Sequence, residues 1–211
     1  MFPLGTVLLP GAYLPLHIFE ERYRALVQDC LEGDGEFGVV LIERGSEVGG
    51  GETRTKVGTV ARIVDARSFP DGRWALGAVG TRRIRVSRWL PDDPYPRAEV
   101  EDWPDPAPSP ALGPELADLV TRLRRVLARA TEMGEVVAPA TVELDDDPVL
   151  ASYQAAAAAP LGPSDRQSLL TAAGVKERVR ELVALLAEEE AVLAQRLALE
   201  SAMPEDPPAL G

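Results

Sequence analysis

Histidine, cysteine and lysine are nearly missing from this 211-residue chain: His17 and Cys30 stand alone of their kinds, and Lys56 and Lys176 are the only lysines. One cysteine removes disulfides, one cysteine with one histidine removes Cys/His zinc sites, and no catalytic triad can be assembled except around His17. The signatures G-x-S-x-G, HExxH and paired CxxC are all absent, so the common hydrolase and zinc-enzyme patterns fail together. A basic n-region with an apolar h-region is missing from the amino terminus, and no window holds the roughly 18 uninterrupted apolar residues of a membrane span. The expected compartment is therefore the cytoplasm, with no membrane association, no metal and no cofactor.

What remains is ordinary for a globular protein, 45% hydrophobic and 27% charged, on a chain long enough to bury a core. The formal net charge of -12 creates a field that repels phosphate backbones, which argues against nucleic acid as a partner. Positive charge comes almost entirely from arginine, whose planar forks suit carboxylates.

Up to about Trp103 short apolar runs are broken by Gly, Pro and Asp, the pattern of a β-rich domain carrying one helix. That helix shows in Phe19, Tyr23, Leu26, Val27 and Cys30, spaced along one face and ending near Gly33. Residues Arg44 to Glu52, with Gly49-Gly50-Gly51, read as a mobile loop between strands. A phosphate loop would need a lysine and a Ser/Thr after the glycines and a helix N-terminus to supply amides, and Glu52-Thr53-Arg54 does not meet that. Around Arg83, Ile84, Arg85, Val86 and Ser87 the alternation describes a strand with one apolar face and one cationic, exposed face.

From Trp103 to Pro110 alternate prolines preclude helix and central strand, which makes this an extended connector and the natural boundary. Beyond it the period becomes helical. Leu116, Leu119, Val120, Leu123, Val126, Leu127 and Ala130 form a stripe; Asp147-Pro148 opens a helix that Pro160 stops; Ser164 and Gln167 suggest a capping box for a short helix ending at Gly174. A last helix of roughly 26 residues carries Val175, Val179, Leu182, Leu186, Leu193 and Leu197. The run Glu188-Glu189-Glu190 reads as a solvated face or part of an intermolecular contact. Three prolines from Pro204 onward mark a disordered tail.

Candidate chemistry is thin. Cys30 could act as a nucleophile with His17 as base, but its place beside Tyr23 and Val27 reads as core, and His17 reads as a hydrogen-bonding or exposed strand residue. Asp145-Asp146-Asp147 resembles half a cation site, yet helix capping by Asp147 explains it.

Phe2-Pro3-Leu4-Gly5-Thr6-Val7-Leu8-Leu9-Pro10 and Tyr13-Leu14-Pro15-Leu16-His17-Ile18-Phe19-Glu20-Glu21-Arg22-Tyr23 resemble the opening of a Lon protease N-terminal domain. Phe37 to Ile42, Val57 to Ile63, Pro70-Asp71-Gly72-Arg73, Gly80 to Val86 and Tyr95-Pro96 continue the resemblance in the family's order. It implies an α+β architecture: a PUA-like twisted β-domain with an embedded helix over residues 1–103, a Pro-rich connector over 104–113, a helical bundle ending in a long helix over 114–203, and a tail over 204–211. It also implies a stand-alone member without the family's ATPase and peptidase segments, and a non-catalytic module that recognises unfolded or exposed protein segments, alone or beside a separate protease. The alternative is a PUA-like nucleic-acid or small-ligand binder. The signature residues Pro10, Pro15, Phe19, Glu20, Arg22, Tyr23, Asp71 and Gly72 read as structural, with Glu20 and Arg22 orienting the first helix by ion pairs to the sheet. Leu14, Trp74, Arg83 and Arg85 are the candidate substrate contacts on a half-exposed sheet face, against the alternative that all four are packed or solvated. Self-association through the long helix is left open.

Overall fold

Six strands and five helices follow one another in the computed structural model, which describes residues 1–44, 53–109 and 112–202. Of the glycine-rich loop expected from Arg44 to Glu52, Arg44 ends the third strand and residues 45–52 lie outside the described residues, as do Pro110 of the connector and the tail from Pro204. The architecture is α+β, with a mixed sheet in the order β1-β3-β4-β5-β2 and β6 paired to β5. β1 (Phe2–Leu4) runs parallel to β3 (Glu36–Arg44); all other pairings are antiparallel.

β4 (Thr53–Ser68) and β5 (Trp74–Leu90) are the long central pair, joined by a turn in which Gly72 takes φ +80°. Asp71 accepts from the backbone N–H of Arg73 at 3.1 Å, and that bond holds its carboxyl below the usual range. This is the tight turn its dipeptide suggests. β5 is long enough to serve two partners on one edge: β2 (Tyr13–Ile18) along its first half and β6 (Arg97–Asp102) along its second. Residues 5–12 cross the sheet between them, where Gly80 exchanges backbone bonds with Gly11 and Ala12. A Cβ at Gly80 would lie 2.4 Å from the Leu9 carbonyl oxygen, so only glycine allows the crossing.

The crossing segment stitches two apolar cores. Leu8 packs with Phe2, Leu14, Ile18, Tyr23, Leu26 and Val27 under α1 (Glu21–Glu32), while Val7 and Leu9 face the helical side. α1 begins two residues later than the periodicity of Phe19 implies. Phe19 precedes it and is 53% exposed, because Glu20 takes the extended N-cap conformation. The helix ends at Gly33 as the spacing predicts.

On the helical side, α2 (Gly113–Glu132) buries Leu119, Leu123, Val126, Leu127 and Ala130 against α5 (Val175–Ala202). α3 (Pro148–Ala158) is capped by Asp147, whose carboxylate accepts from the N–H groups of Val149 and Leu150. No capping box forms at Ser164: Pro163 occupies the first turn of α4 (Pro163–Thr171) with Gly162 as N-cap, and Gln167 donates instead to the Val57 carbonyl on β4. Glu190 is likewise not a solvated residue. Its side chain, 18% exposed, receives Arg122, Arg125 and Arg129 of α2 at 3.0–3.5 Å. Beyond it Leu193 is still buried and Arg196 pairs with Glu135, while Val192, Leu197 and Leu199 are exposed. No helix among the described residues is long and apolar enough to cross a membrane.

The connector is pinned at Asp105. Asp105, its side chain 5% exposed, accepts from Arg178 of α5 and from the hydroxyl of Tyr153 at 2.8 Å, and lies 3.5 Å from Arg83 Nη2. Arg83 also donates to the carbonyls of Trp103, Leu170 and Ala172, and Arg178 donates to the Leu169 carbonyl, Ser152 and Tyr153. Burial pushes the Tyr153 hydroxyl well above its ordinary pKa, so it stays a donor to Asp105. Arg83 is therefore not on an exposed cationic face: the ends of α4 and the connector cover it, and it is 3% exposed.

Asp105→Asn removes the carboxylate shared by two buried guanidinium groups, and is expected to cost about 3–5 kcal/mol in urea denaturation; a loss below about 1 kcal/mol would show that water reaches both arginines. Gly80→Ala is expected to cost about 1–3 kcal/mol in the same measurement, by forcing the Leu9 carbonyl away.

Candidate functional site

Where residues 5–14 pass under the helical side, the chain leaves a cleft of about 440 Å³. Its walls are Val7, Leu9, Ala12 and Leu14 from the sheet side and Ala157 and Ala158 from α3. At Ala157 and Ala158 α3 contributes only methyl groups, which stop short of the crossing segment. Tyr13, 63% exposed, stands at the mouth, its ring packed over Gly77 of β5.

One cation faces this lining. Arg166 of α4 reaches the carbonyls of Ala157 and Ala159 through Nη2, at 3.4 and 3.2 Å, while its Nε is buried without a hydrogen-bond partner. No described carboxylate pairs with it. Burial pushes its guanidinium below the ordinary value, although arginine remains charged. Glu143 is the carboxylate on the exposed rim of the same cleft.

A second, smaller hollow of about 180 Å³ lies between the edges of β1 and β2, lined by Phe2, Leu4, Leu16, Ile18, Phe19 and Tyr23. Phe2 stacks on Tyr23 with ring centroids 4.1 Å apart. β1 and β2 both end the strand order and do not pair with each other.

The four candidate contacts do not converge. Leu14 lines the cleft but is 8% exposed, its side chain turned into the sheet's core. Trp74 lies at the start of β5 opposite Ile18, half-buried against that same core. Arg83 is internal, and Arg85 is exposed with its guanidinium 4.0 Å from the Trp103 ring centre. Trp74 and Arg85 stand eleven residues apart on one strand, roughly 36 Å in extended chain.

Of the signature residues, Pro10 and Tyr23 are buried and Pro15 is exposed on β2. Glu20 and Arg22 pair with each other at 3.0 Å at the head of α1. Asp105, Tyr153, Arg166 and Arg178 emerge only from the structure. Asp105 sits among prolines, and the arginines lie on helix faces that sequence spacing leaves ambiguous. The alternation Pro104-Asp105-Pro106, an acid fixed between two rigid residues, was the one available signal.

What the described residues offer at the cleft is shape and apolar surface. The Cys30 thiol donates to the Glu36 carbonyl at 3.3 Å, and burial pushes its pKa up to about 11, the reverse of an activated nucleophile. His17 is exposed on β2, on the opposite face from Leu16 and Ile18. Asp147 is engaged as a helix cap, and among the described residues no group of His, Cys, Asp and Glu is placed to hold a metal ion.

The profile of the ATP-dependent protease La (LON) substrate-binding domain matches residues 1–188. Among curated proteins, Lon protease 2 of Herpetosiphon aurantiacus is 28% identical over 90% of this chain and 23% of its own length. Lon protease 2 of Myxococcus xanthus is also 28% identical, over 94% of this chain and 24% of its own length. The chain thus spans about a quarter of these relatives. A crystal structure of a Lon N-terminal domain protein from Xanthomonas campestris superposes with a TM-score of 0.63 at 33% identity, covering 87% of this chain and 95% of that one. The N-terminal domain of a Mycobacterium avium complex Lon protease shares the fold, with a TM-score of 0.62 at 19% identity over 88% and 96% of the two chains. With a family match across most of its length, this chain belongs to the Lon substrate-binding domain family.

Proposed function

We propose that this chain is a non-catalytic recognition module that binds unfolded or exposed protein segments in the cleft between its sheet and its helices. The observation that carries this reading is the 440 Å³ opening walled by aliphatic residues and marked by an exposed tyrosine, in a member of a family named for substrate binding. An apolar segment entering it gains roughly 25 cal/mol per Å² buried, less the cost of ordering it, which sets a weak, reversible grip suited to handing a client on. Residues 1–103 form a PUA-like β lobe and residues 114–203 a helical bundle, with the connector 104–113 between them. The module works in the cytoplasm, and its clients are passed to a separate protease or held. Exposed Val192, Leu197 and Leu199 on α5 leave room for a homo-oligomer.

Of the four sequence candidates, Leu14 belongs to the binding wall, while Arg83 holds the lobes together from inside. Trp74 and Arg85 lie outside the cleft. RNA is disfavoured by local pairing as well as by net charge: Arg82 is engaged by Glu36 and Asp102, and Arg88 by Glu99.

Fluorescence anisotropy against a labelled, permanently unfolded polypeptide, with its folded counterpart and a short RNA as controls, is expected to give saturable binding to the unfolded chain alone. Preference for RNA, or no binding, would overturn the reading. In the same titration Ala158→Trp, which fills the cleft, is expected to weaken binding about tenfold or more. Arg85→Ala is expected to leave binding unchanged, and the reverse ranking would move the site to the outer face of β5.

A further inference from the structure

The pairing register of β2 fixes which of its backbone groups are spoken for. Gly80 N donates to Ala12 O, which makes Tyr13 and Val79 a pair that exchanges no bonds. Leu14, Leu16 and Ile18 therefore point their N–H and C=O groups at β5, and Tyr13, Pro15 and His17 point theirs away from it. Pro15 thus sits where its missing N–H costs the ladder nothing. Among the described residues nothing pairs with the outer side, which leaves the N–H groups of Tyr13 and His17 and the carbonyls of Tyr13, Pro15 and His17 facing an open edge.

That edge runs between the two hollows. Tyr13 and Leu14 belong to the larger cleft, and Pro15 to Phe19 belong to the smaller one, so the strand connects them. Side chains of a strand laid along β2 alternate between its two faces, and positions four apart are separated by roughly 13 Å. The smaller hollow, lined by Phe2, Leu4, Ile18 and Tyr23, accepts one apolar side chain. The larger presents aliphatic walls and Arg166, with no carboxylate paired to it and its Nε unsatisfied. A glutamate suits both, its methylenes against the alanines and its carboxylate at the guanidinium. Glu143 on the rim restricts the occupant to a single acid there.

We propose that β2 is a strand-addition site: an extended protein segment pairs through its main chain with the outer edge of Tyr13–Ile18, places an apolar side chain in the smaller hollow, and seats an acidic side chain against Arg166. This rests on the polypeptide-binding reading and adds its mode and its preferred sequence. Main-chain pairing explains how one site serves many clients, because every extended segment carries the same N–H and C=O pattern.

The test uses the full chain and a labelled nonapeptide alternating valine with threonine and carrying one glutamate, N-methylated in turn at each successive amide. The proposal expects losses of about tenfold or more at alternate amides and little change at those between. Arg166→Gln should weaken the glutamate peptide several-fold and leave its glutamine counterpart unaffected. His17→Pro, which deletes an outward N–H without touching the β5 ladder, should weaken both. No binding of the nonapeptide, equal losses at every amide, or an Arg166→Gln effect blind to the glutamate would overturn strand addition. If the unfolded polypeptide still binds in that case, the recognition reading stands without it; if neither ligand binds, the recognition reading itself has failed. Dimerisation of the chain that His17→Pro abolishes and that the nonapeptide does not displace would assign the edge to a second copy and overturn the proposal equally.

Discussion

Two guanidinium groups sharing one carboxylate in the interior hold this molecule in its shape. Arg83 comes from the middle of β5, Asp105 from the connector, and Arg178 from the first turns of α5, with Tyr153 of α3 closing the set. Each charge is buried, so loss of a member leaves the others uncompensated: one carboxylate cannot satisfy two arginines alone, and carbonyls of Trp103, Leu169, Leu170 and Ala172 accept from them as well, while Arg83 Nη2 makes no hydrogen bond and has Asp105 at 3.5 Å as its counter-charge. Those carbonyls lie at the end of α4 and at the start of the connector. The cluster consequently fixes where α3, α4 and α5 stand relative to the sheet, a placement that non-directional apolar contact alone would leave freer to slide.

The cleft is a consequence of that placement. Val7 and Leu9 are held against the helices and Leu8 against the sheet's other core, so residues 5–12 cannot follow either side completely. Gly80 lets the segment cross close to β5, and Gln167 ties α4 to the Val57 carbonyl. Between these fixed points the alanines of α3 are too short to reach the crossing chain. The opening therefore follows from where packing and hydrogen bonds hold its walls, so its shape is part of the fold itself.

How far this was legible in the sequence depends on the length scale of each signal. Period-two and period-3.6 patterns located the strands and helices, and turn chemistry located Gly33, Asp71-Gly72, Asp147-Pro148 and Pro160, since those effects are local. The alternation of Arg83 with Ile84 and Val86 correctly separated two faces of β5, but pattern cannot tell solvent from a polar interior. Arg83 met three carbonyls and a carboxylate 20 to 90 residues away, while Arg85, two residues on, stayed outside. Glu190 is the same case, an acid in an acidic run that packing selects as the anchor for three arginines of α2. Leu14 was expected on a half-exposed sheet face but is buried, and the residues that share its cleft come from α3 and α4, which leave no trace nearby in the sequence.

The same prolines that marked the opening of the chain also decide what kind of edge β2 is. A bare outer strand invites indiscriminate pairing between copies, and proteins blunt such edges with proline or with short strands. β1 is three residues long with Pro3 at its centre, and the outer side of β2 has Pro15 between Tyr13 and His17, so its N–H groups lie two strand repeats apart. Two such edges meeting face to face match poorly, because each lacks a donor where the other needs one. An incoming segment with every amide intact loses only the one bond to Pro15 and can compensate with side chains in the flanking hollows. Pro15 therefore weakens pairing between two copies of this edge more than pairing with a segment whose amides are all intact.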